Sequence, residues 1–500
     1  MFIVSDRAEV YAKPSLTYAI LRRMVSRPSL STEDIDSMLI SRQNPSTGPT
    51  TRPFSRSFTT ARVSTAAAAR VVPALLALSV IAGCQPSSTA DKEPQPEPAK
   101  VVPAEPVVDD PAAVAALSDV EGVELTTNTD GQVVEVLVAG GPDVVERLPD
   151  LTGLPALYKA TFSGPELGDE GLEVLAELQS LRRLDFSGSA ITDATLQHVG
   201  KLPNLEVLIL RRTGVTDAGL ENLEGLDKLR MIDLRNSNIT DEGMDSLSEL
   251  SSLADVQLEY SKITDAGVKQ LSDLPLKSFN ANYQTTLSDD SLKVIGSIPT
   301  IESIQLDESE ITDEGMPAIA GLDNLKRLRI RFADVTGEGL RAIEGKDKLE
   351  RLELRGSSVD DEGLAIISGL PALKVLDISE ARLVSAEGLK RLGDLTALTH
   401  LIVWETDTDD EVVRSWEGLT NLEELNLMAT DVTDESVPTI MKMTKLKNLN
   451  LSGTQLTDES FLKLASLPNL VYLNLANTDV SDDVLDELEE KYPDMEIKDY

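Results

Sequence analysis

The chain has 500 residues, of which 46 are basic and 85 acidic, and its formal net charge at pH 7 is −39. Such an acidic chain is not expected to bind nucleic acid, or to adsorb to anionic lipid through its folded surface. One cysteine and two histidines exclude a disulfide framework and offer few ligands to a transition metal. No P-loop, serine-hydrolase elbow or kinase signature occurs, so we predict that the protein is not an enzyme and carries no cofactor or metal.

Residues 1–62 are rich in Ser, Thr, Arg and Pro and show no apolar periodicity. We interpret them as a leader that is absent from the mature protein, with translation beginning near Val63. A transit peptide is disfavoured because Glu33, Asp34 and Asp36 interrupt the segment with negative charge.

A short apolar segment precedes the only cysteine. Arg70 is followed by an apolar run over residues 71–82, and the sequence continues as Gly83-Cys84. Twelve residues are too few to span a bilayer, whereas a positive flank, a short apolar run and small residues are typical of a secretory signal. The order Ile-Ala-Gly-Cys resembles the lipobox of bacterial lipoproteins, which implies a signal peptide over residues 63–83 and lipidation of Cys84. The alternative is a buried helix followed by a chance cysteine.

Two segments separate Cys84 from the repeats. Residues 84–117 are rich in Pro, Ala and Glu, a composition that favours an extended tether. Residues 118–153 contain VEGVELTTNTDGQVVEVLVAGG, which alternates like two strands around an Asp-Gly turn. We therefore predict that residues 118–153 form an N-terminal cap on the first repeat.

One unit recurs every 24 residues from residue 154 onwards. Its order is L-x-x-L-x-L-x-x-[TSA]-x-[IVL]-T-D-x-x-L-x-x-L, as in residues 205–223. The alternation in its first half predicts one short strand with one buried face. Leucines spaced by three in its second half predict a short helix that packs back on the strand. The anchoring position of the units holds Leu154, Leu178, Leu202, Leu226, Leu250, Leu274, Ile298, Leu322, Lys346, Leu370, Leu395, Leu419, Met443 and Leu467.

These units are similar to the leucine-rich repeat. Neither half of a unit can bury its apolar side alone, so the units are expected to stack, with parallel strands and a shared core. We predict an α/β fold, a horseshoe-shaped leucine-rich-repeat solenoid of about 14 repeats over residues 154–500, closed by a C-terminal half repeat. Parallel strands would form the concave face, and short helices the convex face.

A Thr-Asp pair precedes most of the predicted helices, and its aspartates form a column through the stack. One interpretation is that Thr or Asp caps the helix by accepting hydrogen bonds from free backbone N–H groups. The alternative is a ladder of cation sites, which we disfavour. The column comprises Asp193, Asp217, Asp241, Asp265, Asp289, Asp313, Asp361, Asp434, Asp458 and Asp482.

The outward strand positions and the two residues after each strand should form the concave face, where partners usually dock. Arg and aromatic residues, which often anchor interfaces, collect there in the middle of the chain. The alternative is that these arginines pair with carboxylates of adjacent units, such as Glu259, Asp307 and Glu353. We interpret Trp416 as a core residue because it occupies a helix leucine position. The predicted partner-binding residues are Arg211, Arg212, Arg235, Tyr260, Tyr283, Arg329, Arg331, Phe332, Arg355 and Trp404, with His400 beside them.

The function indicated by the sequence is binding by a lipid-anchored protein of a bacterial cell envelope, with a protein or a polysaccharide held on the concave face. Gln85 follows Cys84 in place of the Asp associated with inner-membrane retention in some bacteria, which favours the outer membrane or cell surface. Two alternatives remain open. The units also resemble those of F-box-type adaptors, which would suit a cytoplasmic scaffold, and a structural spacer of the envelope would bind no ligand.

Overall fold

The computed structural model describes residues 108–499. The predicted leader, the signal peptide, Cys84 and the tether up to residue 107 lie outside the described residues. Within them, seventeen strands form one sheet, in which each strand pairs with the next in chain order. The strands are β1 Val123–Thr127, β2 Val133–Ala139, β3 Lys159–Ser163, β4 Arg183–Asp185, β5 Val207–Ile209, β6 Met231–Asp233, β7 Asp255–Gln257, β8 Ser278–Asn280, β9 Ser303–Gln305, β10 Arg327–Arg329, β11 Arg351–Glu353, β12 Val375–Asp377, β13 His400–Ile402, β14 Glu424–Asn426, β15 Asn448–Asn450, β16 Tyr472–Asn474 and β17 Glu496–Lys498.

Only the first pair, β1 with β2, is antiparallel among these strands, and every later pair is parallel. In most parallel pairs a residue faces its counterpart 24 positions away, as Leu208 faces Leu184 and Ile232. The fourteen anchoring positions each precede one of the strands β3 to β16, and β17 follows as a half unit. The stacked parallel sheet confirms the predicted fold class.

Short helices follow the strands on the other side of the stack. The α-helices are α1 Pro111–Ser118, α2 Pro142–Val145, α3 Asp193–Val199, α4 Asp217–Leu220, α5 Asp241–Ser248, α6 Asp265–Gln270, α7 Asp289–Gly296, α8 Gly337–Leu340, α9 Asp361–Ile367, α10 Ala386–Lys390, α11 Asp410–Ser415, α12 Val437–Ile440, α13 Asp458–Leu464 and α14 Asp482–Lys491. Single 3₁₀ turns lie at Leu148–Gly153, Leu172–Glu177, Glu221–Leu223, Leu271–Asp273, Met316–Ile319, Arg341–Ile343, Arg391–Asp394 and Asp434–Ser436. None of the helices in residues 108–499 has the length and hydrophobicity that a bilayer-spanning segment requires.

One apolar core runs through the whole stack, from Leu117 to Leu488. Leu208 from a strand and Leu220 from a helix are both fully buried, as the two periodicities of the unit require. Burying one such side chain stabilises the fold by roughly 1.5–3 kcal/mol, so the core term grows with every added repeat. Trp416 is fully buried and donates its Nε1–H to the carbonyl of Leu389 at 3.0 Å, which confirms its interpretation as a core residue.

The N-terminal cap begins earlier than the sequence indicated. The tether was predicted to reach residue 117, but residues Pro111–Ser118 form α1, which buries Ala113 and Leu117 against the first 3₁₀ turn. Proline at the first helical position needs no N–H partner, and Asp110 accepts a hydrogen bond from the N–H of Ala112 at 2.9 Å. A proline-rich composition therefore conceals a helix start at this point.

Lys346 is the one polar residue among the fourteen anchoring positions. Its Nζ donates hydrogen bonds to the carbonyl oxygens of Ala320 and Leu322, at 3.1 and 2.9 Å. Burial lowers the pKa of this lysine. The aliphatic part of the side chain fills the leucine position while the ammonium reaches carbonyls of the preceding unit.

The Thr and the Asp of the pair accept hydrogen bonds from different repeats, which the sequence did not indicate. Thr or Ser is the N-cap in most units, as Thr240 is for α5, where its Oγ1 accepts from the N–H of Glu242. The following Asp instead accepts from the next repeat. Asp217 takes the N–H of Thr240 at 2.9 Å and its hydroxyl at 2.7 Å. The predicted capping is therefore correct for Thr, and Asp caps a helix at Asp110, Asp360 and Asp409, whereas the aspartates that follow the Thr bond to the next repeat instead.

We call this set of bonds the aspartate ladder. Its members accept from a residue 23 or 24 positions later and so tie each repeat to the next. The pairs are Asp169–Thr192, Asp193–Thr216, Asp217–Thr240, Asp241–Thr264, Asp265–Ser288, Asp289–Thr312, Asp313–Thr336, Asp361–Ser385, Asp410–Thr433, Asp434–Thr457 and Asp458–Ser481.

In most units, the third helical residue packs against the ladder. Where it is Gly, as at Gly219, an added Cβ would overlap the Asp193 carboxylate. Where it is Ser or Thr, the hydroxyl donates to that carboxylate, as Ser291 does to Asp265 at 2.5 Å. The glycine of the repeat therefore provides space for a carboxylate of the preceding unit.

The ladder adjusts where its aspartate is missing. Gly337 replaces Asp, and the next N-cap is Asp360 instead of Thr. The Asp360 carboxylate reaches back to accept from the N–H of Gly337 at 3.1 Å, so the bond between these two repeats runs in the opposite direction.

Candidate functional site

A second column of turns lies at the ends of the strands. The third residue after each of the strands β4 to β16 has a positive φ, between 52° and 70°. This left-handed conformation costs an L-residue roughly 1–2 kcal/mol and is adopted most readily by Gly and Asn. We call these residues the turn column. Its members are Gly188, Arg212, Asn236, Tyr260, Tyr283, Glu308, Phe332, Gly356, Glu380, Glu405, Ala429, Gly453 and Asn477.

Three bulky aromatic residues occupy the middle of the turn column. Tyr260, Tyr283 and Phe332 have φ values of 55°, 62° and 60°. Tyr260 and Phe332 are also among the few large apolar side chains that stay exposed, at 46% and 42%. Tyr260 and Phe332 thus accept an unfavourable backbone and stay exposed, whereas Asn or Gly fills the same position in five of the other ten repeats of the turn column.

The two tyrosines form one rigid unit. Their rings are stacked with centroids 4.5 Å apart and planes 3° from parallel. The hydroxyl of Tyr283 accepts a hydrogen bond from the Arg331 guanidinium at 3.2 Å. The stack therefore spans adjacent repeats and is held at one end by an arginine two repeats further on.

Asp307 anchors the arginines behind this stack. Its carboxylate is completely buried and accepts from Nε of Arg329 at 2.6 Å and of Arg331 at 2.8 Å. Burial opposes the charge on Arg331, but the hydrogen bond to Asp307 and the attraction of the nearby negative charges together outweigh it and raise the Arg331 pKa. The backbone N–H of Asp307 is in turn bound by the Asn282 side chain at 2.9 Å. This network fixes both guanidiniums before any partner arrives.

Arg355 links the remaining aromatic residues. Its guanidinium lies 5.3 Å from the ring centre of Phe332 and 4.4 Å from that of Trp404, within the range of cation–π attraction. Glu380 accepts from its Nε at 2.8 Å. Gly356 makes room for this arrangement, since a Cβ at that position would overlap the Phe332 ring.

We call Tyr260, Tyr283, Arg331, Phe332, Arg355 and Trp404 the aromatic–arginine strip. It runs across the repeats from β7 to β13 and contains six of the ten residues predicted for partner binding. Arg329 supports it from behind through Asp307.

The other predicted residues lie outside the strip. Arg235 forms a two-pronged ion pair with the buried Asp233, at 2.9 and 2.7 Å, and this interaction raises the Arg235 pKa. Arg211 and Arg212 are exposed, and Arg212 lies three units before Tyr283 in the turn column. His400 contacts the Thr399 hydroxyl at 2.8 Å.

Pairing with a carboxylate of an adjacent unit, as in the alternative, is observed for Arg329, Arg331 and Arg355, whereas Arg235 pairs with Asp233 of its own strand. Such pairing does not account for the exposed Phe332 and Tyr260, which have no charge to pair. The signals missed in the sequence are the positive φ of the turn column and the central position of Asp307, because both depend on how neighbouring repeats stack.

One buried acid in this region is held differently. Asp377 on β12 is 8% exposed, and burial raises its pKa even though Ser379 donates to it through both its N–H and its hydroxyl.

Across residues 108–499, no group of three or more His, Cys, Asp or Glu side chains is arranged to hold a metal ion.

A family model and several solved structures are similar to parts of this chain. A model of the family described as Leucine Rich repeat matches residues 201–223, 228–248 and 442–465. No curated protein matches the chain. An internalin from Listeria monocytogenes is 19% identical over 78% of this chain and 95% of its own, with a TM-score of 0.36. A leucine-rich-repeat protein of Leptospira interrogans is 18% identical over 76% of this chain and 93% of its own, with a TM-score of 0.46.

The mouse RP105/MD-1 complex is 16% identical over 74% of this chain and 70% of the matched chain, with a TM-score of 0.46. These identities relate to the fold alone. The matched repeats, their 24-residue spacing and the stacked parallel strands agree with one another. The chain contains leucine-rich repeats, and residues 108–499 form a leucine-rich-repeat solenoid with a short N-terminal cap.

Proposed function

We propose that this protein binds a protein partner through the aromatic–arginine strip and is attached to a bacterial envelope by lipid on Cys84. The observation that carries the binding proposal is the exposure of Tyr260 and Phe332 at positive φ. Strained residues whose side chains stay exposed are a sign of function, since stability alone would favour Asn or Gly there.

The strip has the dimensions of a site for an extended segment. From the turn after β7 to the turn after β13 there are six strand spacings, or about 29 Å at roughly 4.8 Å each. An extended chain rises about 3.3 Å per residue, so a segment of about nine residues would cover the strip. Rigid aromatic rings and arginines already fixed by carboxylates lose little side-chain entropy on binding, which favours affinity.

The lipid anchor rests on sequence. The apolar run before Cys84 and the order Ile-Ala-Gly-Cys support it, and they lie apart from every repeat. Gln85 favours the outer membrane or cell surface over the inner membrane. A tether between Cys84 and α1 would hold the solenoid away from the bilayer surface.

The binding proposal is tested by comparing partners captured from envelope extracts by the wild-type chain and by Phe332→Asn. We expect binding to weaken by about 2 kcal/mol, the usual scale for an interface anchor, while the fold is retained. Leu383→Asn is the matched control, since Leu383 is 60% exposed but lies outside the strip. Equal capture by all three proteins would contradict the proposal. A captured partner that is lost when glycans are removed would instead indicate a polysaccharide.

The anchor is tested by the mass and location of the protein in a bacterial host. We expect the mature chain to begin at a diacylated Cys84 and the Cys84→Ser variant to leave the membrane fraction. A variant that remains membrane-bound, or residues before Cys84 on the folded protein, would contradict the anchor. A chain that stays in the cytoplasm would favour the adaptor alternative.

A further inference from the structure

A different part of the concave face has almost no charge. On each strand, the first and third residues and the second residue after the strand point to this face. Three adjacent strands contribute nine such positions. The nine positions of β14–β16 carry one charged residue, whereas the nine positions of β10–β12 carry seven. The neutral block comprises Glu424, Asn426, Met428, Asn448, Asn450, Ser452, Tyr472, Asn474 and Ala476. The charged block comprises Arg327, Arg329, Arg331, Arg351, Glu353, Arg355, Val375, Asp377 and Ser379.

Three asparagines in the neutral block are stacked in register. Asn426 faces Asn450, which faces Asn474, on consecutive parallel strands. Each Oδ1 accepts the backbone N–H two residues on, at 3.0, 3.1 and 3.0 Å. These bonds fix the three amide planes in the same orientation.

The fixed amides leave a row of oriented donors. Their Oδ1 atoms are occupied, and within residues 108–499 no hydrogen bond is formed by the three Nδ2 groups. The row has one donor per strand, or one about every 4.8 Å. The half-buried Tyr472 adds an aromatic ring beside Asn448 at one end of the row.

We propose that the neutral block binds an uncharged, linear polysaccharide that lies along the stack of strands. A ligand without charge suits a surface that has one carboxylate among nine positions, on a chain with net charge −39. A charged partner would find almost no opposite charge on the neutral block. Its electrostatic interactions would be with other, charged parts of the chain instead.

The spacing of the donors discriminates between polymers. An extended peptide presents carbonyl groups on one side only at every second residue, about 6.6 Å apart, and falls out of register with donors 4.8 Å apart. A chain of linked pyranose rings has a repeat close to the strand spacing and offers hydroxyl and ring oxygens as acceptors in every unit. Oriented amides together with an aromatic ring are suited to such acceptors and to the apolar face of a sugar.

The test uses the full chain and four neutral hexasaccharides as probes: cellohexaose, chitohexaose, mannohexaose and maltohexaose. Calorimetric titration should show that at least one of them binds. Asn450→Asp should then lower its affinity at least tenfold, because the variant keeps the Oδ1 acceptor for Ser452 and loses the Nδ2 donors. The same column already carries Asp185, Asp233 and Asp377 with the equivalent backbone bond, so this change is compatible with the fold.

Two controls make the outcome specific. Asn238→Asp introduces the same charge at an exposed position outside the concave strands and should leave the affinity unchanged. Phe332→Asn should also leave it unchanged, which separates this site from the aromatic–arginine strip. The proposal is overturned if none of the four hexasaccharides binds, or if binding survives Asn450→Asp, or if an uncharged peptide binds the block in their place.

Discussion

The aspartate ladder and the turn column each place one residue per repeat in a turn, and they differ in what selects the residue. In the ladder, every carboxylate has a donor from the next repeat, and most neighbours are small or hydroxylated, as at Gly219 and Ser291. In the turn column, the backbone favours Gly or Asn, yet Tyr260, Tyr283 and Phe332 occupy it. The ladder is explained by stability, whereas the aromatic residues of the turn column are not.

The pKa values of aspartates in the ladder and on the concave face are also shifted in opposite directions. Burial opposes ionisation of Asp265 in the ladder, but hydrogen bonds from Ser288 and Ser291 outweigh it and lower the Asp265 pKa. Asp377 on the concave face has a similar hydroxyl partner in Ser379, and there burial prevails and raises the Asp377 pKa. Asp265 therefore stabilises the fold through its charge, whereas Asp377 is charged at a cost.

Acidification should have the largest effect on the ladder. The pKa values of Asp169, Asp265 and Asp434 are lowered in the fold, so their contribution is complete above the unfolded value of about 3.9 and is lost as the pH falls below it. The free energy of unfolding, measured with denaturant, should fall steeply below pH 4. The raised pKa of Asp377 acts in the opposite sense, since its protonation begins above pH 3.9. Unfolding free energies that stay constant from pH 5 to pH 3 would contradict a charged ladder.

Removing one ladder acid tests the same bonds singly. Asp265→Ala removes the acceptor for the N–H and hydroxyl of both Ser288 and Ser291. We expect a loss of about 3 kcal/mol, because hydrogen bonds to a charged group are strong and their donors are left without a partner. Asp290→Ala, at a side chain 73% exposed, should change stability by less than about 0.5 kcal/mol.

The same pair of variants distinguishes hydrogen bonds from a cation site. Both oxygens of Asp265 already have donors, so calcium or a chelator should leave the melting curves unchanged. Stabilisation of the wild-type protein by calcium, absent in Asp265→Ala, would show that the ladder binds cations.

Gly219 tests the packing between ladder and helix. Alanine usually stabilises a helix relative to glycine by about 1 kcal/mol. Here Gly219→Ala should destabilise by about 2 kcal/mol, because the Cβ would overlap the Asp193 carboxylate. Gly219→Ser should lose less stability than Gly219→Ala, because its hydroxyl can donate to Asp193 as Ser291 does to Asp265. Gly321→Ala, with open space at the Cβ, serves as the control. A more stable Gly219→Ala would refute the close approach.

Substitution of Lys346 should have the smallest effect on the free energy of unfolding. Lys346→Leu restores the apolar anchor and removes a partly buried ammonium, and we expect a gain of about 1 kcal/mol at pH 7. The lowered pKa means that the wild-type protein gains stability as the pH rises toward the ordinary lysine value near 10.4. The difference in unfolding free energy between Lys346→Leu and the wild-type protein should therefore narrow as the pH approaches that value. The exposed Lys348→Leu should show neither effect. A less stable Lys346→Leu would show that the two carbonyl bonds outweigh the burial cost.

The parts of the molecule that could be predicted from the sequence are those determined within one repeat. Strand alternation, leucine spacing, the threonine cap and the core position of Trp416 all follow from local periodicity. The donors to Asp217, the role of Gly219 and the position of Asp307 depend on a residue about 24 positions away and on the stacking register. The positive φ of Phe332 leaves no periodic signal, and α1 begins in a proline-rich segment that resembles a tether.

The most direct test of the account is the stability of Tyr260→Asn/Phe332→Asn. If both aromatic residues serve binding at a cost to stability, asparagine at these positive φ angles should leave the free energy of unfolding unchanged or raise it by about 1–2 kcal/mol. Binding of the partner should be lost in the same protein. A fall in unfolding free energy of more than about 2 kcal/mol, with binding retained, would show that the aromatic residues serve the fold and would contradict the proposed site.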